Sequence, residues 1–235
     1  MESNPQRYRQ QLESTPWFRG LSLEFQDHLL THATLLRLDK GQALYRCGDL
    51  SCGLYALLDG ALAIGTVGVD GKEALLAVLG PTAWIGEISL VDGLARPHDA
   101  TAVSRALVLQ VPETALRSLL DATPRYWRDI ALLMAQRLRV SFKSAEAMSV
   151  LSAAQRVASR LLLIAEGYGG LNETQSTIKL SQDSLASMVS LSRQTTNQML
   201  KELERKGIIS LKFGQLTILD MARLRDAAAE SSPYA

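Results

Sequence analysis

The stretch from Leu180 to Leu219, LSQDSLASMVSLSRQTTNQMLKELERKGIISLKFGQLTIL, leaves few options for its fold because its apolar period changes within it. Ser181 is a strong N-cap with an acid in the turn that follows. Leu185, Met188 and Val189 then recur at helical spacing, which predicts a short helix. Ser190-Leu191-Ser192 interrupts it. Ser192 is placed to cap a second helix, whose apolar positions Met199, Leu200 and Leu203 face inward until Gly207 ends it. Beyond Gly207 the period shortens to that of strands: Ile208-Ile209-Ser210-Leu211, a Phe213-Gly214 turn, then Leu216-Thr217-Ile218-Leu219. Two short helices, a tight turn and a small hairpin make a winged helix-turn-helix.

The first turns of the second helix offer Arg193, Gln194, Thr195, Asn197 and Gln198. Their donors and acceptors match base edges and phosphates. Arginine pairs with guanine O6/N7 and glutamine with adenine N6/N7, each good bidentate pair discriminating by roughly 1–3 kcal/mol. A merely solvated helix face is the alternative explanation of the same residues. Charge favours the DNA reading: residues 1–124 carry 10 basic and 14 acidic side chains, residues 125–226 carry 15 and 9, so the parts stand at −4 and +6. Positive charge gathers where a phosphate-binding module needs it.

The run SRQTTNQMLKELERKGII resembles the recognition helix of the CRP/FNR family of bacterial transcription regulators. The resemblance implies that Arg193, Gln194 and Gln198 read bases. It also implies that Ser181, Gln182, Ser192, Thr195, Asn197, Lys201 and Lys212 meet the DNA backbone. The family's usual Arg, Glu, Arg pattern is kept only at its first position, which implies a half-site sharing the guanine but not the whole family sequence.

The rest of the chain fits the same resemblance. Its 235 residues, 47% hydrophobic, allow two modest globular domains with real cores. Residues 12–32 read as helix, with Trp17, Phe18, Leu21, Phe25, Leu29 and Leu30 on its apolar face. From Leu35 to Val111, Gly or Asp-Gly turns separate short strands such as 54–58, 61–67 and 74–79, the pattern of a β-roll or barrel. KGQALYRCGD, GLYALLDGALAI, DGKEALLAVLG and WIGEISLVDGLAR resemble the family's cyclic-nucleotide-binding fold.

Within that roll, Gly86, Glu87 and Ile88 followed by Arg96 offer turn amides, a carboxylate for a ribose hydroxyl, and a guanidinium for phosphate oxygens. A plain Glu87–Arg96 staple is the competing explanation. By resemblance, Ser141 is an adenine contact. Two departures weaken the cAMP expectation: Pro97 stands where cAMP-binding members have a small hydroxyl residue, and Phe142 where a second small polar residue belongs. Proline supplies neither hydroxyl nor amide proton. The expected effector is a cyclic nucleotide or another anionic small molecule of unknown identity.

Pro112 opens a short helix, and Pro124 a long one to about Val150, on which Trp127, Ala131, Met134, Leu138, Ser141, Ala145 and Met148 alternate by four and three. That spacing is a coiled-coil seam and predicts a homodimer. Ile130, Leu133 and Val140 lie beside the seam, placed to cover the roll. The whole is an α+β chain: N-terminal helix and β-roll sensing domain (1–123), dimerisation helix (124–150), and winged helix-turn-helix domain (151–235), with a hinge around Leu151-Ser152-Ala153-Ala154. Gly167-Tyr168-Gly169-Gly170 should break the domain's first helix, and family analogy places an RNA polymerase contact at 171–176. A final helix at 221–230 and a frayed tail at 231–235 complete the expectation.

No Walker loop, G-x-S-x-G or close His, Cys and carboxylate cluster suggests an enzyme. His28 and His32 lack a third metal ligand, and Cys47 and Cys52 are too few for a four-cysteine iron–sulfur cluster, while His98 leaves haem open. No apolar run is long enough for a membrane span, the polar N-terminus is unlike a signal peptide, and a cytoplasmic location with reduced thiols is expected. Two functions remain: a dimeric regulator gated by an effector and bound to double-stranded DNA, or a cyclic-nucleotide-binding module acting through protein partners.

Overall fold

The computed structural model describes residues 4–67, 73–171, 175–212 and 214–229. The chain divides into two compact units, one of residues 1–66, 76–138 and 170–173, the other of 67–75, 139–169 and 174–235.

The first unit opens with a 3-10 turn (Pro5–Tyr8) and three helices, α1 (Arg9–Leu12), α2 (Pro16–Arg19) and α3 (Leu23–Thr31). The single helix expected over 12–32 is therefore broken, and local chemistry explains why. Pro16 lacks an amide proton and starts a new helix at its first position, Gly20 closes it, and the Ser22 hydroxyl accepts from Phe25 N to begin α3. The expected apolar residues are nonetheless all buried.

Strands β1 (Thr34–Leu38), β2 (Ala43–Tyr45), β3 (Gly53–Asp59), β4 (Leu62–Val67), β5 (Glu73–Leu79) and β6 (Trp84–Ile85) precede the short helix α4 (Glu87–Asp92). After it come β7 (Asp99–Ala102), β8 (Ala106–Pro112) and α5 (Glu113–Ala122). Two four-stranded sheets result, in orders β1-β8-β3-β6 and β2-β7-β4-β5. The central strand β3 is buried on both faces from Gly53 to Leu58.

Against this roll, Phe18 stacks on Trp84 at 5.6 Å and Trp17 meets the same indole edge-on at 5.2 Å. The long helix α6 (Arg125–Val150) joins that core through Tyr126, Ile130 and Leu133, all buried, and Phe25 stacks on Tyr126 at 4.5 Å. Residues of α6 up to Leu138 count with the first unit and those from Arg139 with the second.

In the second unit, Ser152 and Gln155 form a reciprocal capping box that starts α7 (Ala153–Ala165). One turn follows, α8 (Gly167–Gly170), interrupted by left-handed Tyr168 and Gly169. Strand β9 (Thr177–Ile178) leads into α9 (Gln182–Met188) and α10 (Arg193–Arg205), then β10 (Ile209–Lys212), β11 (Gln215–Ile218) and α11 (Met221–Ala229). The wing is three-stranded, β10-β11-β9, not the two-stranded hairpin expected, because Ile178 pairs with Leu216 and Thr177 with Thr217. A two-residue strand is too short to have a period. Most of the expected polymerase loop (172–174), the Phe213 of the wing turn and the tail (231–235) lie outside the described residues.

Candidate nucleic-acid interface and effector site

Caps and packing together set how the side chains of the helix-turn-helix stand. Ser181 Oγ accepts from Ser184 N at 3.0 Å and Ser192 Oγ from Thr195 N at 3.0 Å, so both helices of the motif start where their serines stand. Between them the chain turns through Ser190 at φ 50°, and Leu191 N donates to Ala186 O. A left-handed non-glycine residue costs about 1–2 kcal/mol, which the packing on either side offsets. Leu185, Ala186, Met188 and Val189 are buried on the first side, Thr196, Leu200 and Leu203 on the second; Met199 is only half-buried.

With that face held inside, Arg193, Gln194, Gln198 and Lys201 stand exposed on α10 with Lys212 on the wing, Ser181 and Ser192 are exposed caps, and Gln182, Thr195 and Asn197 are half-buried. The serine caps already accept helix amides, and each also shares its hydroxyl with a neighbour, Ser184 or Thr195. Arg193 Nε lies 3.3 Å from Asp183 Oδ1, a neighbour on α9 that sequence reading did not assign. A cavity of about 420 Å³ between α9, α10 and the wing is lined in part by Ser181, Asp183, Arg193 and Lys212.

In the first unit the expected anion site is brought together but is internally satisfied. Arg96, 2% exposed, donates from Nη1 to Gly86 O at 3.0 Å and from Nη2 to Gly53 O at 2.8 Å. Its guanidinium also stacks over Tyr45 at 4.6 Å and Tyr55 at 5.5 Å, and its Nε has no partner. Burial pushes the Tyr45 phenol up to about 12 against the opposing pull of Arg96, so the ring beside the cation stays neutral. Burial also raises Tyr55, whose hydroxyl lies 2.6 Å from Cys52 Sγ. Gly86 has φ 105°, and a Cβ there would fall 2.6 Å from Gly53 O and 3.0 Å from Arg96 Nη1, so only glycine fits.

Glu87 does not staple Arg96. Its buried carboxylate faces Arg137 of α6, with Oε1 2.7 Å from Nε, an ion pair by distance although the Nε proton is not aimed along it. Arg137 also donates to Trp84 O. Arg137 was invisible in sequence because nothing in a helical arginine announces its partner. Ile88 is half-exposed, and Ser141 is exposed on the part of α6 that belongs to the second unit.

Along α6, Ala131, Leu138, Ser141 and Ala145 of the expected seam are exposed, while Trp127, Met134 and Met148 are half-buried. A parallel row, Ala131, Ala135, Leu138, Phe142, Ala145 and Ser149, is exposed throughout and keeps the alternation of four and three; Leu138 is 54% and Phe142 65% exposed. Cys47 and Cys52 are free thiols, and no group of three or more metal-ligating side chains occurs among the described residues. No helix among them is long and apolar enough to cross a membrane.

A cyclic nucleotide-binding domain model matches residues 35–123, and a Crp-like helix-turn-helix domain model matches residues 155–227. The chain belongs to the CRP/FNR family. It is 29% identical to the cyclic AMP receptor protein of Thermus thermophilus, over 92% of this chain and 98% of that one. It is also 29% identical to the CRP-like cAMP-activated global transcriptional regulator of Mycobacterium tuberculosis, over 79% of this chain and 84% of the relative. The solved structure of FixK2 from Bradyrhizobium japonicum, 20% identical, shares the fold with a TM-score of 0.75 over 85% of this chain and 99% of its own. This CRP/FNR member is accordingly a DNA-binding transcription regulator, and the matched relatives are regulators, not enzymes.

The Arg96 geometry predicts a stability role that needs no ligand. Arg96→Ala strips two buried carbonyls of a cationic donor and should destabilise the fold by roughly 3–5 kcal/mol, with Arg96→Lys recovering only part, read as the shift in urea midpoint without any effector.

Proposed function

We propose that the chain works as a homodimer gated by a small anionic effector, gripping an inverted-repeat operator in double-stranded DNA through the recognition helix 192–206. The observation that carries this reading is the division of α10: Thr196, Leu200 and Leu203 are buried, and Arg193, Gln194 and Gln198 share the exposed side. In this reading Arg193, Gln194 and Gln198 contact bases, while Ser181, Gln182, Ser192, Thr195, Asn197, Lys201 and Lys212 contact phosphates and sugars. RNA polymerase is the further partner, and the protein acts in the cytoplasm.

Binding of purified protein to sites selected from a randomised duplex pool tests the assignment. Arg193→Ala should abolish sequence preference and leave the fold intact. Lys201→Ala or Lys212→Ala should weaken all sequences alike and lower the salt slope by about one unit. Sequence preference unchanged in Arg193→Ala would remove the arginine from the base-reading role.

Dimerisation rests on the exposed row of α6, whose alternating spacing is what two helices need to pack together. A two-fold pair would set the recognition helices roughly 34 Å apart, one turn of DNA. Leu138→Glu with Phe142→Glu places like charges on that row and should give monomers by light scattering that no longer bind the operator. An intact dimer would move the interface elsewhere.

The effector is expected to be something other than tightly held cAMP. The names of the Thermus and Mycobacterium relatives make cyclic nucleotides the first class to try. In this chain an incoming phosphate competes with Gly86 O and Gly53 O for Arg96, and Pro97 offers it neither hydroxyl nor amide. Titration calorimetry with cAMP, cGMP and cyclic di-GMP should give a cAMP constant well above the micromolar range. A low-micromolar cAMP constant would overturn this.

A further inference from the structure

Asp183 stands in the first turn of α9, two residues after the Ser181 cap, where an acid also suits the positive end of a helix. The geometry assigns it a second task. Its Oδ1 lies 3.3 Å from Arg193 Nε, across the turn of the motif and on the side of the helices that carries Ser181 and Lys212 around the same cavity. Both side chains are exposed, 63% and 71%, so in water the pair holds the fold together very little. Its point of contact is the informative detail. The carboxylate approaches Nε by charge, without a hydrogen bond, and leaves both terminal nitrogens, the end-on fork that matches guanine O6 and N7, unengaged.

We propose that Asp183 is a specificity-determining positioning residue: it pre-orients Arg193 for end-on pairing with guanine while its own charge disfavours binding to DNA in general. This rests on the reading of Arg193 as a base contact. Two effects of opposite sign follow from one carboxylate. Fixing the arginine before docking removes rotamer freedom that would otherwise be lost on binding, and the attraction strengthens as water leaves the interface. The same negative charge faces a polyanion whose phosphates dominate non-specific affinity. A residue that served only to cap α9 would do neither: its loss would weaken every sequence together.

The test compares Asp183→Asn with the unaltered protein on a selected operator, on the operator with the Arg193 guanine pair replaced, and on unrelated duplex, by fluorescence anisotropy at fixed salt. The expected result is a rise of a few fold in affinity for unrelated duplex, with discrimination at the guanine falling roughly five- to tenfold. In an Arg193→Ala background the Asn change should cost no further discrimination. Asp183→Glu, which keeps the charge within reach, should restore most of what is lost. Unchanged discrimination in Asp183→Asn, beside an Arg193→Ala variant that has lost its preference, overturns the role of Asp183 alone. Unchanged preference in Arg193→Ala overturns the base contact, and Asp183 falls with it. A uniform loss across all three duplexes returns Asp183 to the capping role.

Discussion

Everything the second unit presents to its surroundings depends on how α10 is rolled about its own axis. Thr196, Leu200 and Leu203 lie at helical spacing and are buried, so they fix that rotation; a turn of one residue, roughly 100°, would carry Arg193 from solvent into the apolar interior. Helix α7, buried at Val157, Ala158, Leu161 and Ile164, packs against α10, and the capping box at Ser152 fixes where α7 begins. Packing therefore decides function here without touching it. The exposed residues of α10 are set out mainly by the packing of the opposite face, which leaves most of their donors and acceptors for a partner.

What sequence made legible was what depends on near neighbours. Ser181 and Ser192 cap as expected, Pro112 and Pro124 stand just before helices, and the strands around 54–58 and 74–79 fall within a residue or two of their places. The failures have a different origin. One apolar stripe over 12–32 concealed breaks that Pro16 and Ser22 impose, because three short helices can bury the same face as one long one. Strand β9 exists only because Leu216 and Thr217 offer it a partner, and the Glu87–Arg137 and Asp183–Arg193 pairs join residues from different elements. On α6, the same spacing is carried by two adjacent rows: Ala135 and Phe142 are exposed, as Leu138 is, whereas Met134 is half-covered. Propensity cannot report which of two adjacent rows a neighbouring roll will hide.

The two units also use charge differently. In the first, the key cation is withdrawn from water and answered by carbonyls and aromatic faces close by. In the second, Arg193, Lys201 and Lys212 remain at the surface, where screening keeps each individually weak and only their sum against a polyanion becomes large. One arrangement favours a fixed conformation, the other a reversible, salt-sensitive grip.

Arg96 carries a consequence for how such domains change over evolutionary time. A guanidinium that binds only a ligand is free to drift once the ligand is abandoned, but one that also closes Gly86 O and Gly53 O is kept by selection for folding. The position can thus remain arginine through a complete exchange of signals, because its reason for being kept lies in folding. An arginine at that place in a newly sequenced roll is then a fossil of architecture, and the residues beside it hold the record of what the roll still senses.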